Sequence, residues 1–458
     1  VFAQEKLFSI RFRESKLFEE LSSRFDDGDT MLRDLRYLGF FVDELHMMLN
    51  ASITFTQSPP RTISTHQVQA HSSHAVIVAS GPSLDAQLPL LKAQRQNFDL
   101  FSCYSTLGAL LKEGLTPDYH CNQERHACHL PLIRDPSAAA FTPNAVLLCS
   151  ANNDPRMNAL YGDVLAFFRS ASCASALLAS DNSQCINSEG PQVANLALYY
   201  AILLGYRNIH LFGVDLGTAD QSLCRSPGAL SHTARLLNQP VPGNLRETVW
   251  ADQSLIECAQ YMGWLLHGTV LPDGKPIENL QVYNYSDGQL IPGTLPSDPV
   301  DFHSNLWADT QGPQPIELIK TLQPYDVQTA RARFIALGWR QRLTDYLATV
   351  RALVETPLSK EALERFLQLS ERQTNKLSNQ ILPRMMAGTL TRTWYFVLTI
   401  NERMHALTDR QRRQWEAKCR EILITCIDSM EQLTLEMVAY VEELKDVSEH
   451  QLISKIFG

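Results

Sequence analysis

The 458-residue sequence has no apolar run long enough to cross a bilayer and opens on no charged-then-apolar leader. Neither a membrane span nor a secretory signal is expected, and a cytoplasmic setting is. A start at Val1 without methionine points to a trimmed or partial chain. Positive charge is in short supply, with 40 Lys and Arg against 49 Asp and Glu and a net charge of -9. That balance excludes nucleic acid as the expected main partner, and no membrane partner is expected either. Paired cysteines are missing too: the ten cysteines lie scattered in apolar segments such as Phe101-Ser102-Cys103 and Leu148-Cys149, without a Cys-x-x-Cys. A disulfide framework is thereby excluded and a reduced compartment expected. Imidazole and thiolate crowd together in His120, Cys121, His126, Cys128 and His129. Cys121 ends a strand-like segment where a buried thiol is common, so no metal site is expected.

What is present is centred on His74-Ala-Val-Ile-Val-Ala-Ser80-Gly81-Pro82-Ser83-Leu84-Asp85. The unbroken apolar run reads as a buried parallel strand, Ser-Gly-Pro-Ser as a tight turn, and Asp85 onward as a helix start. Such a turn aims backbone N–H groups and a helix dipole at one point, and a phosphate is the guest it suits best. The alternative is an ordinary strand-to-helix connection. No Gly-Lys-Ser/Thr follows and the later glycines of a dinucleotide fingerprint are missing, so both of those nucleotide loops are excluded.

At this length two or three domains are expected. Val1 to Asn50 is helical and amphipathic, with Asp27-Gly28-Asp29 as a polar turn, and Thr54 to Ser73 has linker composition. From His74 strands alternate with helices. The strands are expected at His74–Ala79, Phe98–Cys103, Asp118–Cys121, Ala145–Cys149, Val164–Phe168 and Ile209–Val214. The helices are expected near Asp85–Gln94, Thr106–Glu113 and Val193–Leu204. This alternation specifies an α/β fold with a Rossmann-like parallel sheet, whose ligands lie beyond the carboxyl ends of the strands. Residues to watch there are Ser80 to Ser83, Tyr104, Ser105, Asn122, Gln123, Ser150 to Asn153 and Asp215 to Gly217. After a Pro-rich passage, Val327–Glu355, Lys360–Leu407 and Asp409–Asp446 read as three long helices of a bundle, with Pro383 kinking or breaking the middle one. The division expected is therefore 1–73, 74–314 and 315–458.

A second informative stretch is Ser188-Glu189-Gly190-Pro191-Gln192, then an apolar helix, Gly205-Tyr206, and the strand ending Phe212-Gly213-Val214-Asp215. Asp215 could be catalytic, hold a ribose or sugar hydroxyl, or cap the next turn. Together with Val-Ala-Ser-Gly-Pro-Ser-Leu-Asp, Val241-Pro242-Gly243-Asn244 and Asn284-Tyr285-Ser286-Asp287-Gly288-Gln289-Leu290-Ile291-Pro292-Gly293-Thr294, these segments resemble the motility-associated-factor (Maf) family, in the same order. The match covers about half of the chain, His74 to Thr294. The Gly-Pro-Ser-Leu turn is also similar to that of bacterial sialyltransferases.

The resemblance implies a sialyltransferase-type fold, a variant of the GT-A class, and transfer of a pseudaminic, legionaminic or related nonulosonic acid from a CMP-activated donor to flagellin Ser or Thr hydroxyls. It implies that Ser80, Gly81, Pro82, Ser83 and Leu84, and the turn of Gly190, Pro191 and Gln192, hold the CMP. Asn122 would contact ribose or base, and Tyr104, Ser105, Gln123, Gly213 and Tyr285 would belong to the same donor site, Tyr285 reaching the phosphate or lying in the core. Departure of a nonulosonate from phosphate needs leaving-group stabilisation and a base for the acceptor hydroxyl. Backbone N–H groups can supply the first without an obligatory metal. The base candidates are His232, Asp252 and Asp215, His232 being otherwise an ordinary loop histidine. Thr248-Val249-Trp250-Ala251 departs from the family pattern. Two other readings remain: a pterin diphosphokinase-like transferase using ATP and Mg²⁺, and a flagellin-binding scaffold without activity.

Overall fold

The computed structural model describes residues 39–63, 70–126, 142–169, 172–179, 184–186, 192–229, 236–268, 277–306, 315–371, 381–403 and 408–443. Two compact units emerge. One is Thr54–Ala171 with Ala179–Val327; the other takes its described residues from 39–53, 172–178 and 328–443. The contiguous division expected at 73 and 314 differs from this, because the helical unit also draws on segments early in the chain.

The first unit is built on a parallel sheet. Its strands, in chain order, are β1 (Arg61–Thr62), β2 (His71–Val78), β3 (Asp99–Cys103), β4 (Tyr119–Asn122), β5 (Val146–Ser150), β6 (Asp163–Arg169), β7 (Cys185–Ile186), β8 (Tyr206–Phe212), β11 (Gln281–Asn284) and β12 (Leu295–Pro296). A separate antiparallel ribbon joins β9 (Gln239–Pro242) to β10 (Thr248–Ala251). The sheet order is β1-β6-β5-β4-β3-β2-β8-β11-β12, with β7 beside β6. All six strands expected from the sequence are present, within a few residues of the expected bounds. The linker reading for Thr54 to Ser73 gives way in part: helix α1 (Phe41–Gln57) runs into it, β1 lies within it, and β2 starts at His71.

Alternation explains the apolar run of β2. Ala75 and Ile77 join one core with helices α4 (Val193–Leu203) and α5 (Gln253–Gly268), while Val76 and Val78 join the other with α2 (Leu84–Gln94) and α3 (Leu107–Lys112). Both faces of the strand are covered, so every position must be apolar. Helix α4 is buried from Ala194 to Leu203, as its all-round apolar sequence requires.

In the helical unit, α6 (Val327–Ala336) and α7 (Trp339–Glu355) replace the first expected long helix, with Gly338 at φ 59° between them. Glycine tolerates that left-handed turn where other residues are strained. Of the second expected helix, the structure describes α8 (Lys360–Glu371) and α9 (Ile381–Arg403); residues 372–380 lie outside the described residues, and Pro383 is in helical backbone within α9. In α10 (Asp409–Glu443), Leu423, Ile427, Met430 and Met437 recur at helical spacing and are buried. Arg351 of α7 bridges to Asp428 and Glu431 of α10 at 2.6 and 2.7 Å. The short helix Cys173–Leu178 belongs to this unit, and the Cys173 thiol lies 3.5 Å from the Ile381 carbonyl. Among the described residues no helix is long and apolar enough to cross a membrane. The aspartate pair at 27 and 29 lies outside the described residues.

Candidate functional site

From β2 the chain passes to β3 and on toward β6 on one side, while β8 and β11 lie on the other. The sheet order reverses between β2 and β8, and the crevice outside their carboxyl ends is where such sheets bind ligands. Their pairing runs to Val78 and Phe212, then continues as Ala79 N–H donating to the Phe212 carbonyl at 2.9 Å and Gly81 N–H to the Gly213 carbonyl at 2.7 Å. Glycine is required at both ends. A Cβ on Gly81 would strike the Asp215 carboxylate, and one on Gly213, at φ 60°, would strike the Ala79 carbonyl.

The Gly81 turn does not hold free amides. Ser83 donates to the Asp215 carboxylate from its hydroxyl at 3.0 Å and its N–H at 3.4 Å, and Leu84 N–H donates to the Gly81 carbonyl. The helix N-terminus expected to bind phosphate thus carries an anion of the chain's own. Burial pushes the Asp215 carboxyl up to about 7, against the hydrogen bonds from Ser83 that pull it down; Asp287 adds like-charge repulsion. From β11 the chain presses on the same residue: Gln289 N–H donates to the Asp215 carbonyl at 2.7 Å, and a Cβ on Gly288 would strike the Asp215 backbone.

Beside Asp215 three polar side chains converge. The Ser105 hydroxyl donates to that of Ser80 at 3.2 Å, and Arg225 Nη1 reaches the Ser105 hydroxyl at 3.4 Å. Tyr104 and Leu216, which follow β3 and β8, hold φ of 42° and 44°. Such strained backbone at non-glycine residues clusters where function dictates geometry. Asn244 clamps the end of β11, its side-chain amide donating to the carbonyls of Asn284 and Ser286 at 2.8 and 2.9 Å. The buried Oε1 of Gln289 and Oδ1 of Asn244 have acceptor capacity left over.

Of the expected site residues, the structure brings together Ser80, Gly81, Pro82, Ser83, Ser105, Gly213 and Asp215, with Tyr104 adjoining them. Leu84 is correctly in the turn, but its side chain is fully buried in the core. Tyr285 is a core residue: its ring stacks on Phe212 at 4.7 Å, and its hydroxyl accepts from Asn305 at 2.9 Å. It is therefore not the phosphate contact expected. Asn122 is fully buried, donating to Asn153 at 2.8 Å and accepting from Glu124 N–H at 3.0 Å. Gln123 follows it, half-buried. Asp252 is the N-cap of α5, accepting from Leu255 N–H and the Ser254 hydroxyl at 2.9 Å each, so its carboxylate is a structural cap rather than a base. Gln192 precedes α4, its carbonyl accepting from the Asn195 N–H at 3.0 Å. His232, Gly190 and Pro191 lie outside the described residues, as do Cys128 and His129. His120 is buried and hydrogen-bonded to Tyr161, and among the described residues no three His, Cys, Asp or Glu side chains converge on a metal position.

Sequence reasoning missed Arg225, Gly288 and the clamp role of Asn244. A signal for the last two lay in the Gly-Asn and Asp-Gly-Gln segments. For Arg225, in a loop with no periodicity, there was none.

A doubly wound α/β sheet with its polar crevice at the switch point defines a Rossmann-like class of ligand-binding proteins. Within that class, the chain is similar in structure to a Maf glycosyltransferase from Magnetospirillum magneticum AMB-1. The TM-score is 0.70 at 21% sequence identity, over 97% of this chain and 67% of that one. The chain therefore has a Maf-type fold, as the motif resemblance implied. Residues 47–221 match the family model described as 6-hydroxymethylpterin diphosphokinase MptE-like. No curated protein matches.

Proposed function

We propose that the protein is a glycosyltransferase that moves a nonulosonic acid from a CMP-activated donor to Ser or Thr hydroxyls of flagellin. The observation that carries this reading is the convergence of Ser80, Ser83, Ser105, Arg225 and Asp215 on one crevice at the β2/β8 switch point. The Maf-type fold and the ordered motifs from His74 to Thr294 support it. Hydroxyls and a guanidinium suit the anionic leaving group of such a donor. Of the three base candidates, Asp215 stands in the crevice, and a carboxyl near 7 matches general-base work at neutral pH.

The name of the matching family model favours a second reading, diphosphate transfer from ATP to a pterin. Calorimetric titration separates the two. The first predicts binding of CMP without added metal, and CMP-nonulosonate-dependent mass gain on flagellin. Binding of ATP with Mg²⁺ and none of CMP would replace it with the second.

A further inference from the structure

We infer that a cleft at the amino ends of β2, β8 and β11, on the sheet edge opposite the crevice, is a second ligand site, for a small hydroxylated anion of the sugar-phosphate or sugar-acid type. None of the donor-site residues takes part in it.

The cleft has a volume of about 620 Å³, and His71, Arg207, Asn208, Asn279 and Gln281 are among the residues that line it. A slip in the sheet lies at its base. His71 pairs with Tyr206 and His74 with Asn208, so two residues of β2 stand opposite Arg207 alone. An extra residue of this kind bends a strand and re-aims its side chains, and such bulges gather beside functional sites. On the other side of β8, Asn208 stands level with Gln281 of β11, which brings their two amides together at the cleft. Asn279, at φ 59°, turns the chain into β11 and adds a third.

Arg207 supplies the charge. Its Nη1 donates to the carbonyls of Ile202 and Tyr206 at 3.2 and 2.9 Å, answering the carbonyl end of α4. Those bonds use the protons of one nitrogen, and the protons on Nη2 and Nε remain for a ligand. Burial pulls the guanidinium down from its ordinary value, and among the described residues no carboxylate pairs with it to offset that cost. The neighbouring His71 shares a hydrogen bond with the Leu204 carbonyl at 3.0 Å; burial lowers its imidazole against that bond, and the Arg207 charge adds to the lowering. Asn208 also lacks a partner. It is 8% exposed, yet its side-chain amide makes no hydrogen bond among the described residues. A buried amide left so costs stability until a ligand or water completes it. The Gln281 Oε1 accepts from the Tyr283 hydroxyl at 3.0 Å, which leaves its NH₂ to donate. A guanidinium matches phosphate or carboxylate oxygens, and side-chain amides offer the donors and acceptors that hydroxyls need. Charge and amides side by side therefore select an anion with a hydroxylated body.

The test titrates the full chain by calorimetry with glucose 6-phosphate, glucuronate, glucose and inorganic phosphate, in wild type, Arg207→Gln and Gln281→Ala. Far-UV circular dichroism and melting temperature report whether the variants fold. Wild type is expected to bind one of the two sugar anions about tenfold or more tighter than glucose, and the tighter of the two identifies the charged group. Arg207→Gln should erase that preference. Gln281→Ala, which removes one neutral hydrogen bond at an exposed position, should weaken the same anion about fivefold, and it carries the test by itself should Arg207→Gln unfold with the loss of its bonds to α4. Binding of neither sugar anion by wild type overturns the site. Affinity unchanged in a folded Arg207→Gln, or in Gln281→Ala, overturns it as well. Inorganic phosphate bound as tightly as the sugar anions does the same, since a bare charge needs no amides.

Discussion

Asp215 is where burial, hydrogen bonding and backbone crowding meet on one side chain. It is 2% exposed, its carboxylate sits at the start of α2 on Ser83, and glycines at 81 and 288 make room for it. Its carboxyl is raised from 3.8 to about 7, so the folded protein holds a proton there that the unfolded chain releases. The sign follows from linkage: the contribution to stability is fully present below the ordinary carboxylate range and is lost as pH rises through 7. Asp215→Asn, which keeps shape and removes the titration, is expected to gain stability relative to wild type between about pH 4 and 8. Urea midpoints measured across that range check it; parallel curves for the two proteins would refute it. His210, held near 3 by burial and by its neighbour His74, adds a loss of stability below about 6.5 that both proteins share. If Asp215 is the base, the same variant should lower kcat/KM for transfer by about 10²-fold or more while CMP affinity persists.

At the scale of elements, the close approach of the loop after β11 to the loop after β8 sets the floor of the crevice. Gly288 lies on the Asp215 backbone, Gln289 N–H bonds to its carbonyl, Val214 N–H donates to the Ser286 hydroxyl at 2.8 Å, and Asn244 holds the end of β11 and the loop after it. Gly288→Ala would force these loops apart. Overpacking of this kind costs about 1–3 kcal/mol, read as a lower urea midpoint at constant slope, and crevice binding should weaken with it. A variant as stable as wild type would show that the loops give way freely. The strand ends also show why a polar residue after a strand is weak grounds for a ligand role. Asn122 turned to Asn153 and Glu124, and Tyr285 packed inward on Phe212, because a buried polar group needs a partner.

For the whole molecule, the discontinuous helical unit decides what truncation can report. Cutting at residue 314 removes α9, which lies beside the Cys173–Leu178 helix, and that helix has all six residues buried. Arg333, hydrogen-bonded to the Leu178 carbonyl, would go as well. A fragment ending at 314 is expected to bind the apolar dye ANS and to melt without a cooperative transition, because exposed core drives collapse and association. A fragment that melts sharply would show that the sheet unit folds alone.

The sequence by itself determined the parallel strands, the helices that cover them and the glycine turn after β2. These depend on local periodicity and on residues whose backbone limits are intrinsic. It also carried the fold family, through motifs spaced in a constant order. Tertiary structure alone decided which turn residues meet. Asp215 and Ser83 are 132 positions apart, and Arg225 and Ser105 are 120. Such pairings are set by strand order and by competition for buried hydrogen bonds, neither of which leaves a period in the chain. That competition committed Asn122 to Asn153, made Asp252 a cap, and filled the expected anion site with a carboxylate of the chain itself.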